Sequence, residues 1–214
     1  MKKLYFILII SMLLMVGYCA PCLADWLIFQ KPEFKGKVID AETKAPIEGA
    51  VVVVVYEKHV YGPAGGYSTV VKVKEILTDK NGKFFFPPYS TIIHPFSKED
   101  DAYFIIYKPG YGDFPNNRVS PPSGISSQTI ERFFLAETYG KQGEIPVKVK
   151  TEGKWNYTKQ KVTFGLAELP PLKTQKERLE AIPGGPTDFG SKELPLLFKA
   201  MNEENRRFGL GEIK

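Results

Sequence analysis

Five consecutive valines, Val51 to Val55, set the strongest limit on what this chain folds into. β-Branched side chains lose χ1 freedom in a helix and pack well on a pleated surface, so the run reads as a strand. It is far shorter than the roughly 20 apolar residues that span a bilayer as a helix. Upstream, Phe34-Lys35-Gly36-Lys37-Val38 alternates small or apolar residues with lysines, the period-two pattern of a strand with one wet face. The connection 40–49 holds Asp40, Pro46 and Gly49, which set turn geometry by side-chain hydrogen bonding, fixed φ and free φ. Downstream, Asp79-Lys80-Asn81-Gly82 is expected to form a hairpin turn in which Asn-Gly supplies positive φ. Two such turn-linked β units predict a mostly β chain with an antiparallel sandwich.

Beyond the valines, Gly62, Pro63, Gly65 and Gly66 interrupt the pattern, so 57–68 is expected to be a loop carrying His59, Tyr61 and Tyr67. A strand resumes over 70–77. Phe84-Phe85-Phe86 forms another, ended by Pro87-Pro88, which donate nothing to a ladder. Residues 89–101 read as a loop, 102–107 as a strongly apolar strand, and 111–127 as a long loop rich in Pro, Asn, Gly and Ser. Residues 129–136 make a final expected strand, with Glu131, Phe133 and Leu135 on one face. Several of these strands are apolar on both faces, whereas a solvated antiparallel sheet alternates. Burying one valine side chain is worth about 1.5–3 kcal/mol, so a row of them requires a cover. The most economical cover is the rest of the same chain; a partner protein is the alternative.

Three short motifs, in order, carry a family resemblance: Gly36 to Val52 (GKVIDAETKAPIEGAVV), Thr78 to Phe84 (TDKNGKF) and Tyr107 to Tyr111 (YKPGY). Together they resemble the carboxypeptidase regulatory-like domain over residues 33–137, about half of the chain. The resemblance implies a seven-stranded transthyretin-like β-sandwich in a secreted bacterial protein. It implies no activity, because that domain is a non-catalytic appendage of some metallocarboxypeptidases.

The N-terminus reads as an export signal in preference to a membrane anchor, since its apolar run is short and no stop-transfer charges follow. Lys2 and Lys3 precede an apolar stretch from Leu4 to Val16, and Cys22-Leu23-Ala24 is a small-x-small cleavage site. Cleavage after residue 24 of 214 would leave 190 residues and remove both cysteines, Cys19 and Cys22. That rules out a disulfide framework, a cysteine metal site and a cysteine nucleophile in the exported chain. Loss of Lys2 and Lys3 takes the net charge from +5 to +3. With the lysines scattered over expected strands, a solvated surface is read in preference to a nucleic-acid groove. No membrane span is expected after cleavage, and an apolar lead-in, 25–32, is expected to pack on the domain.

In the tail, 138–190 reads as an extension and 191–214 as an amphipathic C-terminal helix. Residues 145–150 and 161–164 are expected to pair as a hairpin around Glu152-Gly153. Thr174 and Glu177 form a capping box for a short helix to Ala181. In the last helix Leu194, Leu197, Phe198 and Met201 fall at i, i+3, i+4 and i+7, with Ser191 as the expected cap and Gly209 as the stop. Its stripe is expected to dock on the sandwich, with a partner groove as the alternative. Residues 139–214 resemble no family.

Few residues offer chemistry. His59 and His94 lie outside any zinc-ligand spacing, and neither Gly-x-Ser-x-Gly nor Ser-x-x-Lys occurs. Glu99, Asp100 and Asp101, which follow His94, read as a solvated acidic loop in preference to a cation site. The segment from Asp79 lacks the glutamate that would complete a calcium loop. Lys35 and Lys37 are candidates for a Lys–Asn isopeptide bond, but the last expected strand has no Asn. Paired carboxylates for glycoside hydrolysis meet in space, not in sequence, and stay open. What remains is four loop aromatics, Tyr61, Tyr67, Tyr111 and Phe114, whose rings suit sugar stacking or protein contact. The expectation is therefore a non-catalytic, exported module, periplasmic or extracellular, with no cofactor and no metal. It would bind an envelope protein or glycan, or give structural support. An accessory role in a peptidase or polysaccharide system is the alternative.

Overall fold

The computed structural model describes residues 27–213 apart from 64, 117–118, 122–123, 152 and 185–189. The expected export signal and both cysteines lie outside the described residues. The described chain is mostly β, with three helices. Among the described residues, no helix is long and apolar enough to cross a membrane.

The valine run is the centre of a long strand, β3 (Val51–Gly62), paired antiparallel along one edge with β4 (Gly65–Leu77). Its other edge is shared by two shorter strands: β8 (Tyr103–Tyr107) lies beside the valines and β7 (Ser97–Glu99) beside residues 58–60. A second sheet has β2 (Phe34–Asp40) at its centre, flanked by β5 (Lys83–Phe86) antiparallel and β11 (Leu166–Leu169) parallel. Two-stranded pairs complete the β structure: β1 (Ile28–Lys31) with β6 (Tyr89–Ile92), and β9 (Gln142–Thr151) with β10 (Lys154–Thr163).

Alternation on β3 divides the interior in two. Val52, Val54 and Tyr56, with Phe104 and Ile106 of β8, join a core with Phe34 and Val38 of β2, Phe84 and Phe86 of β5, and Ala167 and Leu169 of β11. Val51, Val53 and Val55, with Ile105 and Tyr107, face the opposite way. That second face is covered by α3 (Pro195–Arg207), whose Leu197, Phe198 and Met201, with Leu194 at its start, are buried on it. The cover is thus supplied within the molecule. Ser191 is not its cap: Leu194 holds that position with no capping side chain of its own. The orphan amides of the first turn are instead met by Glu75 of β4, which accepts from Leu196 N at 2.7 Å and Leu197 N at 3.0 Å. α2 (Gln175–Glu180) has the expected capping box, and its Arg178 holds buried Glu204 of α3 through two bonds of 2.5 and 2.7 Å. Phe85 is an exception to the covering argument, since it remains exposed.

Three local expectations are corrected. The Asn81-Gly82 turn does not join paired strands: β4 belongs to the valine sheet and β5 to the other, so the turn arches between sheets. Gly82 does take positive φ, +73°, and Asp79 Oδ1 accepts from Asn81 N and Lys83 N to tighten the arch. Residues 129–136 are not a strand. Ser126 caps a short helix, α1 (Ser127–Phe133), by accepting from Thr129 N, and Ile130 and Phe133 are buried one turn apart. Residues 89–101, read as a loop, contain β6 and β7.

The lead-in and the tail share the core of 33–137. Phe29, Ile145, Val147, Val162 and Phe164 belong to the cluster that contains Phe34 and Val52, so residue 137 does not separate two cores. Lys31 is buried at the junction, with its Nζ 2.8 Å from Glu131 of α1 and 2.9 Å from Glu99 of β7. Those two partners compensate a charge that burial would otherwise penalise heavily.

Candidate functional site

The expected loop 57–68 is a ribbon. Residues 57–62 of β3 and 65–70 of β4 stay paired as an arm after a register shift at Tyr56/Glu57; β7 lines residues 58–60, and only the tip beyond Val60 is two-stranded. The glycines that suggested a loop sit at its end, where Gly62 pairs with Gly65. His59 stands opposite Ser68, and Tyr61 opposite Gly66, so these four share one face. Tyr67 stands opposite Val60 on the other face. Tyr61 is 53% exposed and Tyr67 62%.

The absence of a side chain at Gly66 is used by its neighbour. A Cβ there would lie 2.1 Å from His59 Nε2, so the missing side chain makes room for the imidazole. That ring meets Tyr61 edge-on at 5.0 Å, and Lys98 of β7 lies 5.7 Å from the Tyr61 ring centre. Tyr61 N donates to Phe96 O at 2.9 Å, bringing the turn 95–96 against the arm. Phe96 is 72% exposed and was not singled out in the sequence, where it is one apolar residue in a polar stretch.

The arm also gathers a serine, a histidine and an aspartate. The Ser68 hydroxyl donates to Asp100 Oδ2 at 2.5 Å, and this bond, ahead of the nearby His59 and Lys98, holds the Asp100 carboxyl below the usual range. A nucleophilic serine needs its proton directed at an imidazole base, so this arrangement is the wrong way round for acyl transfer. Beside it, burial pushes the Glu57 carboxyl up, and the Asp100 charge adds to the effect. The acidic residues after His94 do not converge on it: Glu99 pairs with Lys31, Asp100 accepts from Ser68, and His94 Nδ1 is 2.6 Å from Pro95 O. Among the described residues, no three or more of His, Cys, Asp and Glu are grouped to hold a metal ion.

The other two expected site aromatics are elsewhere. Phe114 is fully buried and packs edge-on against Phe134 with ring centres 5.7 Å apart, so it is a core residue and presents nothing to a ligand. Backbone bonds in both directions with Ile106 of β8 draw it inward. Tyr111 is half-buried, and its hydroxyl donates to Asp40 Oδ2 at 3.2 Å. Burial first, and then that bond to Asp40, push the phenol up. Tyr111 therefore helps to hold the 40–49 turn, whose Asp40 also accepts from Glu42 N and Thr43 N. The arm keeps Tyr61 and Tyr67; Tyr111 and Phe114 do not join them.

A second exposed aromatic pair escaped the sequence reading. On β10, Trp155 is 60% exposed and Tyr157 75%, two residues apart and so on one face. The signal was present in Lys154-Trp-Asn-Tyr157, where rings alternate with polar residues.

Comparison of the chain with protein-family models, curated proteins and solved structures returned no match.

Proposed function

We propose that the chain is an exported, non-catalytic β-sandwich module that binds an envelope protein or glycan through the end of the β3–β4 arm. The observation that carries this reading is the exposure of Tyr61 and Tyr67 on a ribbon that continues past the last core residue of β3, Tyr56. Past Val60, where β7 ends, β3 and β4 pair only with each other, so the rings stand at a two-stranded tip. A projecting ribbon on a rigid scaffold is a common way to present contacts. Tyrosine suits the task, since its ring supplies contact area and its hydroxyl a polar handle.

The regulatory-like resemblance is retained as the reading of 33–137. Seven strands, β2 to β8, fall within it, and the inner residues of β3 and β8 meet those of β2 and β5 in one core. That arrangement supports a transthyretin-like sandwich. The resemblance motifs act as scaffold: Asp40 and Thr78 satisfy turn amides, and Gly82 supplies positive φ.

The test is an affinity pull-down of the purified protein from its own envelope fraction, with wild type beside Tyr61→Ala/Tyr67→Ala. Exposed rings leave the fold intact when truncated, whereas an aromatic truncated at a binding centre commonly costs about 2 kcal/mol or more. The wild type is expected to capture a protein or glycan that the double variant loses, with unchanged circular dichroism. A folded double variant that still captures the same species overturns the assignment to the arm.

A further inference from the structure

The β9–β10 ribbon has two unlike faces. Ile145, Val147 and Val162 point into the core, so the odd residues of β9 and the even residues of β10 form the inner face. The outer face therefore carries Lys148 and Lys150 of β9 with Trp155, Tyr157, Lys159 and Lys161 of β10. Lys161 stands opposite Glu144, a carboxylate of its own face, whereas Lys148 and Lys150 stand opposite the aromatics Tyr157 and Trp155. Lys148 Nζ lies 5.0 Å from the Trp155 ring and Lys150 Nζ 5.9 Å. Lysines that are scattered in the sequence are thus gathered by strand pairing onto one surface, around two exposed rings. Beside Tyr157, the segment 124–126 bounds a shallow groove of about 310 Å³ that also takes in Pro146 and Lys148.

From this we infer that the outer face of the β9–β10 ribbon binds an acidic polysaccharide, a chain of carboxylate-bearing sugars. Each part of the surface matches one part of that ligand. The rings are platforms for the apolar C–H faces of sugar rings, and the ammonium groups pair with carboxylates. Trp155 and Tyr157 are spaced by two strand residues, roughly 7 Å, and the row from Trp155 to Lys161 extends roughly 20 Å, which suits a linear polymer. Charge complementarity selects an anionic chain over a neutral one, and lysine point charges without an arginine fork suit dispersed carboxylates. The inference rests on the reading of the chain as a binding module, but not on the arm.

The experiment is electrophoresis of the purified protein through native gels cast with polygalacturonate, with neutral dextran and no polymer as controls. A single-stranded DNA oligonucleotide is titrated in parallel. Polygalacturonate is expected to retard the protein in a salt-sensitive manner, and dextran is not. Trp155→Ala/Tyr157→Ala and Lys148→Gln/Lys150→Gln should each weaken retardation by about tenfold or more while circular dichroism is unchanged. Trp155→Phe, which keeps a platform, should retain most of the binding. No retardation by polygalacturonate overturns the inference, as does equal retardation of the aromatic variant. DNA binding as tight as polygalacturonate binding also overturns it, since the face would then read phosphate charge alone. In any of these cases, capture through Tyr61 and Tyr67 would still stand, because the two variant sets touch different ribbons.

Discussion

The sharpest consequence of the docked C-terminal helix concerns Glu75, a β4 residue that caps a helix more than a hundred residues later in the chain. Its two carboxylate oxygens accept from the amides of Leu196 and Leu197 at 2.7 and 3.0 Å, in the first turn of α3. That turn has no capping side chain of its own, so Glu75→Ala removes both acceptors. Loss of a helix cap costs about 0.5–2 kcal/mol, and a carboxylate at the positive end of a helix adds about 0.3–1 kcal/mol. Glu75 is partly exposed, so water recovers some of the loss and about 2 kcal/mol is expected. For a chain of this size, that corresponds to a fall in melting midpoint of about 4–8 °C. Glu75→Gln keeps one acceptor without the charge and should lose about half as much. Loosening α3 uncovers Val51, Val53, Val55, Ile105 and Tyr107, so an apolar-surface dye should bind the alanine variant more strongly. Thermal and urea unfolding followed by circular dichroism, with the dye in parallel, measure both effects. A Glu75→Ala protein within 0.5 kcal/mol of wild type and silent to the dye would refute the capping argument.

Gly82→Ala should be costly for two reasons: φ is +73°, and a Cβ would lie 2.3 Å from the Val38 carbonyl oxygen, which also accepts from Ile47 N. A loss of more than about 2 kcal/mol in urea unfolding is expected, and an unchanged midpoint would mean that the arch between sheets is wrong. Asp40 gives a pH dependence. Backbone bonds from Thr43, then Glu42, with Tyr111 contributing, hold its carboxyl below the usual value. Its contribution to stability is therefore complete above the unfolded-state value near 4 and is lost as pH falls through the lower folded value. The advantage of wild type over Asp40→Asn in urea should be constant from pH 7 to about 5 and shrink towards pH 2; an advantage that is the same at pH 2 would contradict this.

The fold was legible where local pattern and tertiary environment agree. The valine run, the strand at Tyr103 to Tyr107, the Thr174 capping box and the stripe of Leu197, Phe198 and Met201 all lie where their periodicity placed them. Asn81-Gly82 makes the expected turn but not the expected hairpin, because turn chemistry fixes φ but not which sheet receives the next strand. At 129–136, Glu131, Phe133 and Leu135 fit a strand while Ile130 and Phe133 fit a helix; the cap at Ser126 decides between them. Glycine density hid the arm, since Gly62, Gly65 and Gly66 mark the end of a ribbon and the space beside His59, not an irregular loop. Phe114 looked exposed because it lies in a proline-rich stretch, and only its long-range pairing with Ile106 brings it inside. The lysine and aromatic face of β9–β10 required strand register, because Lys148 and Tyr157 are neighbours only across the ribbon.

The central claim, that the arm is the binding surface, is tested most directly by photocrosslinking in the cell that makes the protein. A photoreactive phenylalanine derivative replaces Tyr67 on the arm or, as a control, Phe85, which is 45% exposed on β5 away from the arm. A discrete adduct is predicted on irradiation of the Tyr67 variant and none from the Phe85 variant. No adduct at Tyr67, or the same adduct from both positions, would contradict the claim.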